Sequence, residues 1–238
     1  MSPSAGPDPH ETGHDPAPDQ VPVTGPVPGP VPALVPVLVR LGAGAPQAEQ
    51  VQQDLLGRWS EPHRRYHDRR HLAEVLDRVE QLAGHAEHAD LVRCAAWWHD
   101  AVHDGRAGDD ERASAALAHE QLGSLGVARR HADRVVELVL VTIQHDPGEP
   151  ADPDAAVLCD ADLGILAADR ARYDGYAADV RQEYGHVPDE LFRAGRAGVL
   201  RRLLSHRHLF RTPTATAWET AARANLSREL DALVAGPR

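Results

Sequence analysis

The stretch Ala95-Ala96-Trp97-Trp98-His99-Asp100 sets the strongest condition on what this chain can become. An apolar turn that buries two tryptophans brings an imidazole and a carboxylate to the edge of a core, and polar groups taken out of water need partners. Adjacent residues on a helix are offset by about 100°. His99 and Asp100 therefore cannot share a face, but both reach inward at a helix end inside a bundle. A neutral imidazole beside a carboxylate suits a divalent ion of the Mn, Fe, Co or Zn type. It also suits a hydrogen-bonded pair with no ion at all, and the dipeptide alone does not separate the two.

Apolar residues elsewhere recur at helical spacing. Val51, Leu55 and Trp59 form one stripe, Leu72, Val75, Leu76 and Val79 a second, and Val135, Val136, Leu138, Val139 and Ile143 a third. Aromatics make up only 4% of the chain, so Leu, Val and Ala must build the core, which favours helices over sheets. Breaks fall at Gly42, at Ser60 to Pro62, at Asp104 to Asp110, at Gly126, at His145 to Gly148 and at Gly185 to Pro188, and Thr212-Pro213 reads as the start of the last helix. The pattern predicts an all-α protein with one domain over residues 33–238. Eleven of the 19 prolines lie within the first 36 residues, so residues 1–32 read as a disordered Pro/Gly-rich tail.

Composition excludes several classes. The net charge of −11 argues against a nucleic acid polymer as partner. All 25 basic residues are arginine, which removes P-loop and Schiff-base lysines. Cys94 and Cys159 sit among apolar residues and read as buried small hydrophobes rather than a disulfide framework. The first twenty residues lack the basic start and apolar centre of a signal peptide, and no run is apolar enough to span a bilayer. The expectation is a cytoplasmic protein with no membrane partner; a homo-oligomer is left open.

The chemistry-bearing pieces are His67-x-x-x-His71, His99-Asp100, His145 and Asp160-x-Asp162. His63, His67 and His71 are each four residues apart, so a helix through them would carry one imidazole stripe drifting about 40° per step. His63, at the break, reads as exposed; His67 and His71 read equally well as satisfied histidines or as ligands. Asp160 and Asp162 would be about 200° apart on a helix, so only one of them can face a given site. Arg64 and Arg65 flank the histidines and read either as a solvated pair or as a bidentate phosphate clamp.

In this order, His…His-Asp…Asp on helices, the chain resembles the HD superfamily of metal-dependent phosphohydrolases. Within it, the chain is most similar to a bacterial branch described only as predicted metal-dependent HD phosphohydrolases. Arg65-Tyr66-His67, His71-Leu72, Ala96 to Val102, Glu111-x-x-Ser114-Ala115, Thr142-x-x-His145, Asp160 to Leu163 and Val187 to Phe192 carry the likeness, over about residues 34 to 235. The resemblance implies an HD-type helical bundle. It implies a divalent ion (Mn, Co, Fe, Mg or Zn) held by His71, His99, Asp100 and Asp162, with Asp160 competing for the last place and His145 at the position of a second-metal ligand. It makes His67 a general acid or a donor behind the ligands. It makes Asp104 or Glu111 the carboxylate that orients or deprotonates water, helix capping being the other reading of both. His103 departs from the branch, where many relatives carry an aromatic residue. The activity implied is hydrolysis of a small phosphate ester, such as a nucleotide, by metal-activated water. A metal-bound nucleotide or ligand sensor with little turnover is the alternative. It gains if none of His67, Asp104 and Glu111 lines the metal cavity. A two-iron oxygenase, needing His145 and one further ligand, is a third reading.

Overall fold

The computed structural model describes residues 30–235, so most of the expected tail lies outside the described residues. Within them every regular element is a helix. The first five α-helices are α1 (Val35–Arg40), α2 (Ala45–Arg58), α3 (Arg69–Leu82), α4 (Ala89–Trp98) and α5 (Asp109–Ser124). The others are α6 (Arg129–Val141), α7 (Pro153–Leu163), α8 (Arg170–Glu183), α9 (Asp189–Ser205) and α10 (Glu219–Ala235).

Local sequence sets the starts of the helices that matter most. Asp68 caps α3 by accepting from the backbone N–H groups of Arg70 and His71. Asp152 caps α7, with Pro153 following it in the first turn, and Asp169 caps α8. Helix α4 runs through the middle of the molecule, with Leu91, Val92 and Cys94 to Trp98 all buried. It packs against both α3 and α7, which also touch each other. Helices α5 and α6 pair on one side of it, and α9 and α10 pair with each other. The indole N–H of Trp59 donates to the Trp97 carbonyl at 3.0 Å and that of Trp98 to Gln121 Oε1 at 2.8 Å, so both buried rings are satisfied. Cys94 and Cys159 are free and buried, and burial pushes both thiols up. No helix among the described residues is long and apolar enough to cross a membrane.

Three elements differ from the pattern read in the sequence. The segment from His63 to Asp68 is irregular and α3 begins only at Arg69, so the three-histidine stripe does not exist as a helix face. Helix α4 stops at Trp98 instead of running to His103, and beyond it the Asp100 and Ala101 carbonyls accept from the Arg64 guanidinium at 2.8 and 3.1 Å. Thr212 and Pro213 open a turn and a short 3₁₀ segment (Ala215–Trp218), not α10 itself; the Thr212 N–H and hydroxyl are both bound to Asp160.

Candidate metal centre

Three packed elements converge on one point. Helix α3 supplies His71 from its first turn, the end of α4 supplies His99 and then Asp100, and the last turn of α7 supplies Asp162. The Nε2 atoms of His71 and His99 face each other at 3.2 Å. Asp100 Oδ2 is 3.2 Å from His99 Nε2 and 3.7 Å from His71 Nε2. Asp162 Oδ1 lies 3.2 Å from His71 Nε2 and 3.7 Å from His99 Nε2. Both imidazoles are 1% exposed, while the carboxylates, at 18% and 14%, form the open side.

The residues present fit a divalent ion. Ligand atoms about 2.1 Å from a shared ion stand about 3.0 Å apart at right angles and about 3.4 Å apart in a tetrahedron. The three shortest separations, at 3.2 Å, fall within that range, and the two at 3.7 Å lie just beyond it. His99 Nδ1 lies 2.8 Å from the Ala96 carbonyl, which can only accept, so Nδ1 carries a proton and Nε2 is the atom turned to the cluster. His71 Nδ1 is buried without a partner, leaving Nε2 as its one point of polar contact. The imidazoles and carboxylates of the cluster also shift one another's charge. Burial disfavours a charged His99, yet the adjoining Asp100 carboxylate, with Asp162 behind it, outweighs burial and lifts the imidazole to about 9. Burial likewise works against both carboxylates, and the surrounding imidazoles hold Asp100 and Asp162 well below the usual carboxylate range.

His145, at the end of the α6–α7 connection's first turn, holds Asp162 from the other side, its Nε2 2.8 Å from Oδ2. One oxygen of Asp162 thus faces the cluster and the other faces His145. His67 enters from the irregular segment before α3, with its ring centroid 5.5 Å from that of His71. Its Nδ1 lies 2.7 Å from Glu183 Oε2. The other Glu183 oxygen accepts from the N–H groups of Arg65, Tyr66 and His67 at 2.8, 2.9 and 2.8 Å. The His103 ring stacks on His67 at 4.1 Å and places its own Nε2 3.5 Å from Glu183. Burial opposes charge on both partners. The hydrogen bonds from His103 and His67 nonetheless keep Glu183 well below its usual value, and Glu183 raises His67.

The remaining sequence candidates stand elsewhere. Asp160 is fully buried on the opposite side of α7 from Asp162, where it accepts from the Arg211 N–H, the Thr212 N–H and the Thr212 hydroxyl, so it has no free oxygen to compete for an ion. Arg64 is no phosphate clamp. Its guanidinium is buried and donates to the carbonyls of His67, Asp100 and Ala101, with Glu61 on its Nε and the Trp59 ring at 5.4 Å. Arg65 is exposed and turns back to the Pro62 carbonyl. Glu111 caps α5 through the Gly108 N–H at 2.6 Å, and Asp104 pairs with Arg106 at 2.6 Å; neither contacts the cluster. Sequence reasoning missed Glu183 altogether and gave His103 no part beside His67. Nothing local distinguishes Glu183 from any carboxylate at a helix end; only the packing of α8 against the turn before α3 gives it a partner.

No protein-family model matches the chain. No solved structure matches it. The chain is similar to a Bacillus subtilis (strain 168) protein named Uncharacterized protein YpgQ, with 30% identity over 163 residues that cover 60% of this chain and 78% of that protein. At that identity and coverage, the chain belongs to the same family as YpgQ.

Proposed function

We propose that the protein is a metal-dependent phosphohydrolase with an HD-type helical bundle, acting on a small phosphate ester such as a nucleotide. The observation that carries this reading is the pair of buried imidazole Nε2 atoms, 3.2 Å apart, each with both carboxylates at 3.2 to 3.7 Å, and a braced third histidine beside them. His71, His99, Asp100 and Asp162 would hold the ion. Such an ion lowers the pKa of bound water and neutralises phosphoryl oxygen charge.

The chain's own groups supply the rest. The irregular turn before α3 carries His67 to the cluster, and Glu183 fixes the proton on its Nδ1. Nε2 is then the atom left to hold or hand over a proton, the role of a general acid toward a leaving oxygen. His145 orients Asp162, and Arg64 locks the carbonyls on either side of the cluster, so the ligand side chains start from a rigid frame.

A second reading, a ligand sensor with little turnover, draws on the positions of Asp104 and Glu111. Both carboxylates are committed to local partners, which leaves no evident acid–base group other than His67. The deciding experiment is phosphate release from a panel of nucleotides and sugar phosphates, with metal-stripped protein resupplied with Mn, Co, Mg, Fe or Zn. The hydrolase reading expects release that needs both a metal and Asp100. Silence across the panel, with stoichiometric metal retained, moves the assignment to the sensor.

A further inference from the structure

His103 has no part in the hydrolase reading, yet it stands with His67 and Glu183 in a second group of side chains able to grip an ion. The three come from separate segments: the turn before α3, the loop after α4 and the last residue of α8. Glu183 Oε2 is the atom they share. It lies 2.7 Å from His67 Nδ1 and 3.5 Å from His103 Nε2. The two imidazoles stack at 4.1 Å with their planes inclined by 30°, so both present a nitrogen to one oxygen.

Each donor is held in place by its own neighbours. The other Glu183 oxygen is fixed by the N–H groups of Arg65, Tyr66 and His67, so Oε2 is the working end of a clamped carboxylate. The His67 carbonyl accepts from Arg64 at 2.9 Å. The His103 carbonyl lies 2.7 Å from His63 Nε2, and the N–H of Asp104 donates to the buried Asp110 carboxylate at 2.9 Å. Two imidazoles and one carboxylate make a three-ligand zinc set of the kind that keeps a fourth position open. His103 and Glu183 also line a cavity of about 260 Å³, which gives that position room for water. Ligand atoms about 2.1 Å from an ion stand about 3.0 to 3.4 Å apart. An ion therefore asks Oε2 and His67 Nδ1 to part by about half an ångström, and leaves Oε2 and His103 Nε2 nearly where they are.

We infer that His67, His103 and Glu183 form a second divalent-cation site, of the zinc type, separate from His71, His99, Asp100 and Asp162. Two imidazole nitrogens suit zinc better than a hard ion such as magnesium. The second site is the weaker of the two. It offers one carboxylate where the first offers two, and the ion must take the place of the proton between Nδ1 and Oε2, which leaves to solvent. The assignment stands on this geometry alone and does not rest on the hydrolase reading.

The test is calorimetric titration of Zn²⁺ into the metal-stripped full chain, with bound zinc counted after equilibrium dialysis, for wild type, His103→Phe and Asp100→Ala. The expected result for wild type is two ions per chain, one tight and one weaker. His103→Phe keeps a ring stacked on His67 but removes the nitrogen. It should retain the tight ion and weaken the second at least tenfold, the scale for losing an ion's ligand or its support. Asp100→Ala should lose the tight ion and retain the weaker one. His103→Leu decides the matter if circular dichroism shows that His103→Phe does not fold. No zinc on the wild type overturns the proposal. So does zinc that the folded His103 variant binds, ion for ion, within about twofold of wild type. The two sites fail separately. Zinc that depends on Asp100 and is indifferent to His103 overturns the second site and leaves the first. Zinc that depends on His103 and is indifferent to Asp100 keeps the second site and overturns the first.

Discussion

Glu183 and His67 are 116 positions apart in the chain and 2.7 Å apart in the fold. One carboxylate, 3% exposed, closes the turn from Arg65 to His67 with one oxygen and fixes the His67 imidazole with the other. Glu183→Gln keeps the shape but turns an N–H₂ group toward donors. It should destabilise the protein by about 2–4 kcal/mol, since buried donors lose their acceptor. Urea denaturation at pH 7 measures this.

The same pair gives the fold a pH signature. Glu183 is held below its ordinary 4.5, so its contribution is complete above that value and fades as the pH falls. His67 is raised above its ordinary 6.5, so its contribution is complete below that value and fades as the pH rises through its folded value. The pair therefore contributes most between about 4.5 and 6.5. The stability difference between wild type and Glu183→Gln should be greatest in that window and shrink on both sides. Denaturation midpoints across pH 3 to 9 check the shape; a difference that grows steadily toward pH 9 would contradict it.

Asp160 and Asp162 should separate cleanly when each is changed to alanine. Asp160→Ala strands three donors of Arg211 and Thr212 and should cost about 2–4 kcal/mol while metal affinity is kept. Asp162→Ala should cost little stability and lower metal affinity at least tenfold, the scale for losing an ion's ligand or its support. Thermal melts and metal titrations of the two variants provide the comparison.

Arg64→Lys tests whether that side chain is a brace. A single ammonium cannot span the carbonyls of His67, Asp100 and Ala101 in the way the guanidinium fork does. The variant should melt lower, with a loss of about 2–3 kcal/mol. Phosphate affinity, measured with inorganic phosphate on folded protein, should not change in its own right.

Much of this was legible in the sequence, for identifiable reasons. The Leu and Val spacing in α2, α3 and α6 determines which face is buried, and that decides a helical bundle without any knowledge of neighbours. His99 and Asp100 were visible because polar groups end an otherwise apolar turn, and the angular separation of Asp160 and Asp162 anticipates that they face opposite sides of α7. What was not legible depends on partners that are remote in sequence. The Asp100 and Ala101 carbonyls that follow α4 are held by Arg64, some 36 positions away, and the irregular path through His67 is closed by Glu183. Arg64 looked like a free cation because its acceptors are backbone carbonyls, which leave no mark in a sequence.

The most direct measurement is equilibrium titration of metal-stripped protein with Mn²⁺ and Zn²⁺, comparing wild type with Asp100→Ala and recording circular dichroism of both. The account expects wild type to take up at least one ion per chain and to melt higher when loaded. Asp100→Ala should show no comparable uptake, with its helical signal almost unchanged. Wild-type affinity in Asp100→Ala, or no binding of either metal by the wild type, would contradict a metal centre at His71, His99, Asp100 and Asp162.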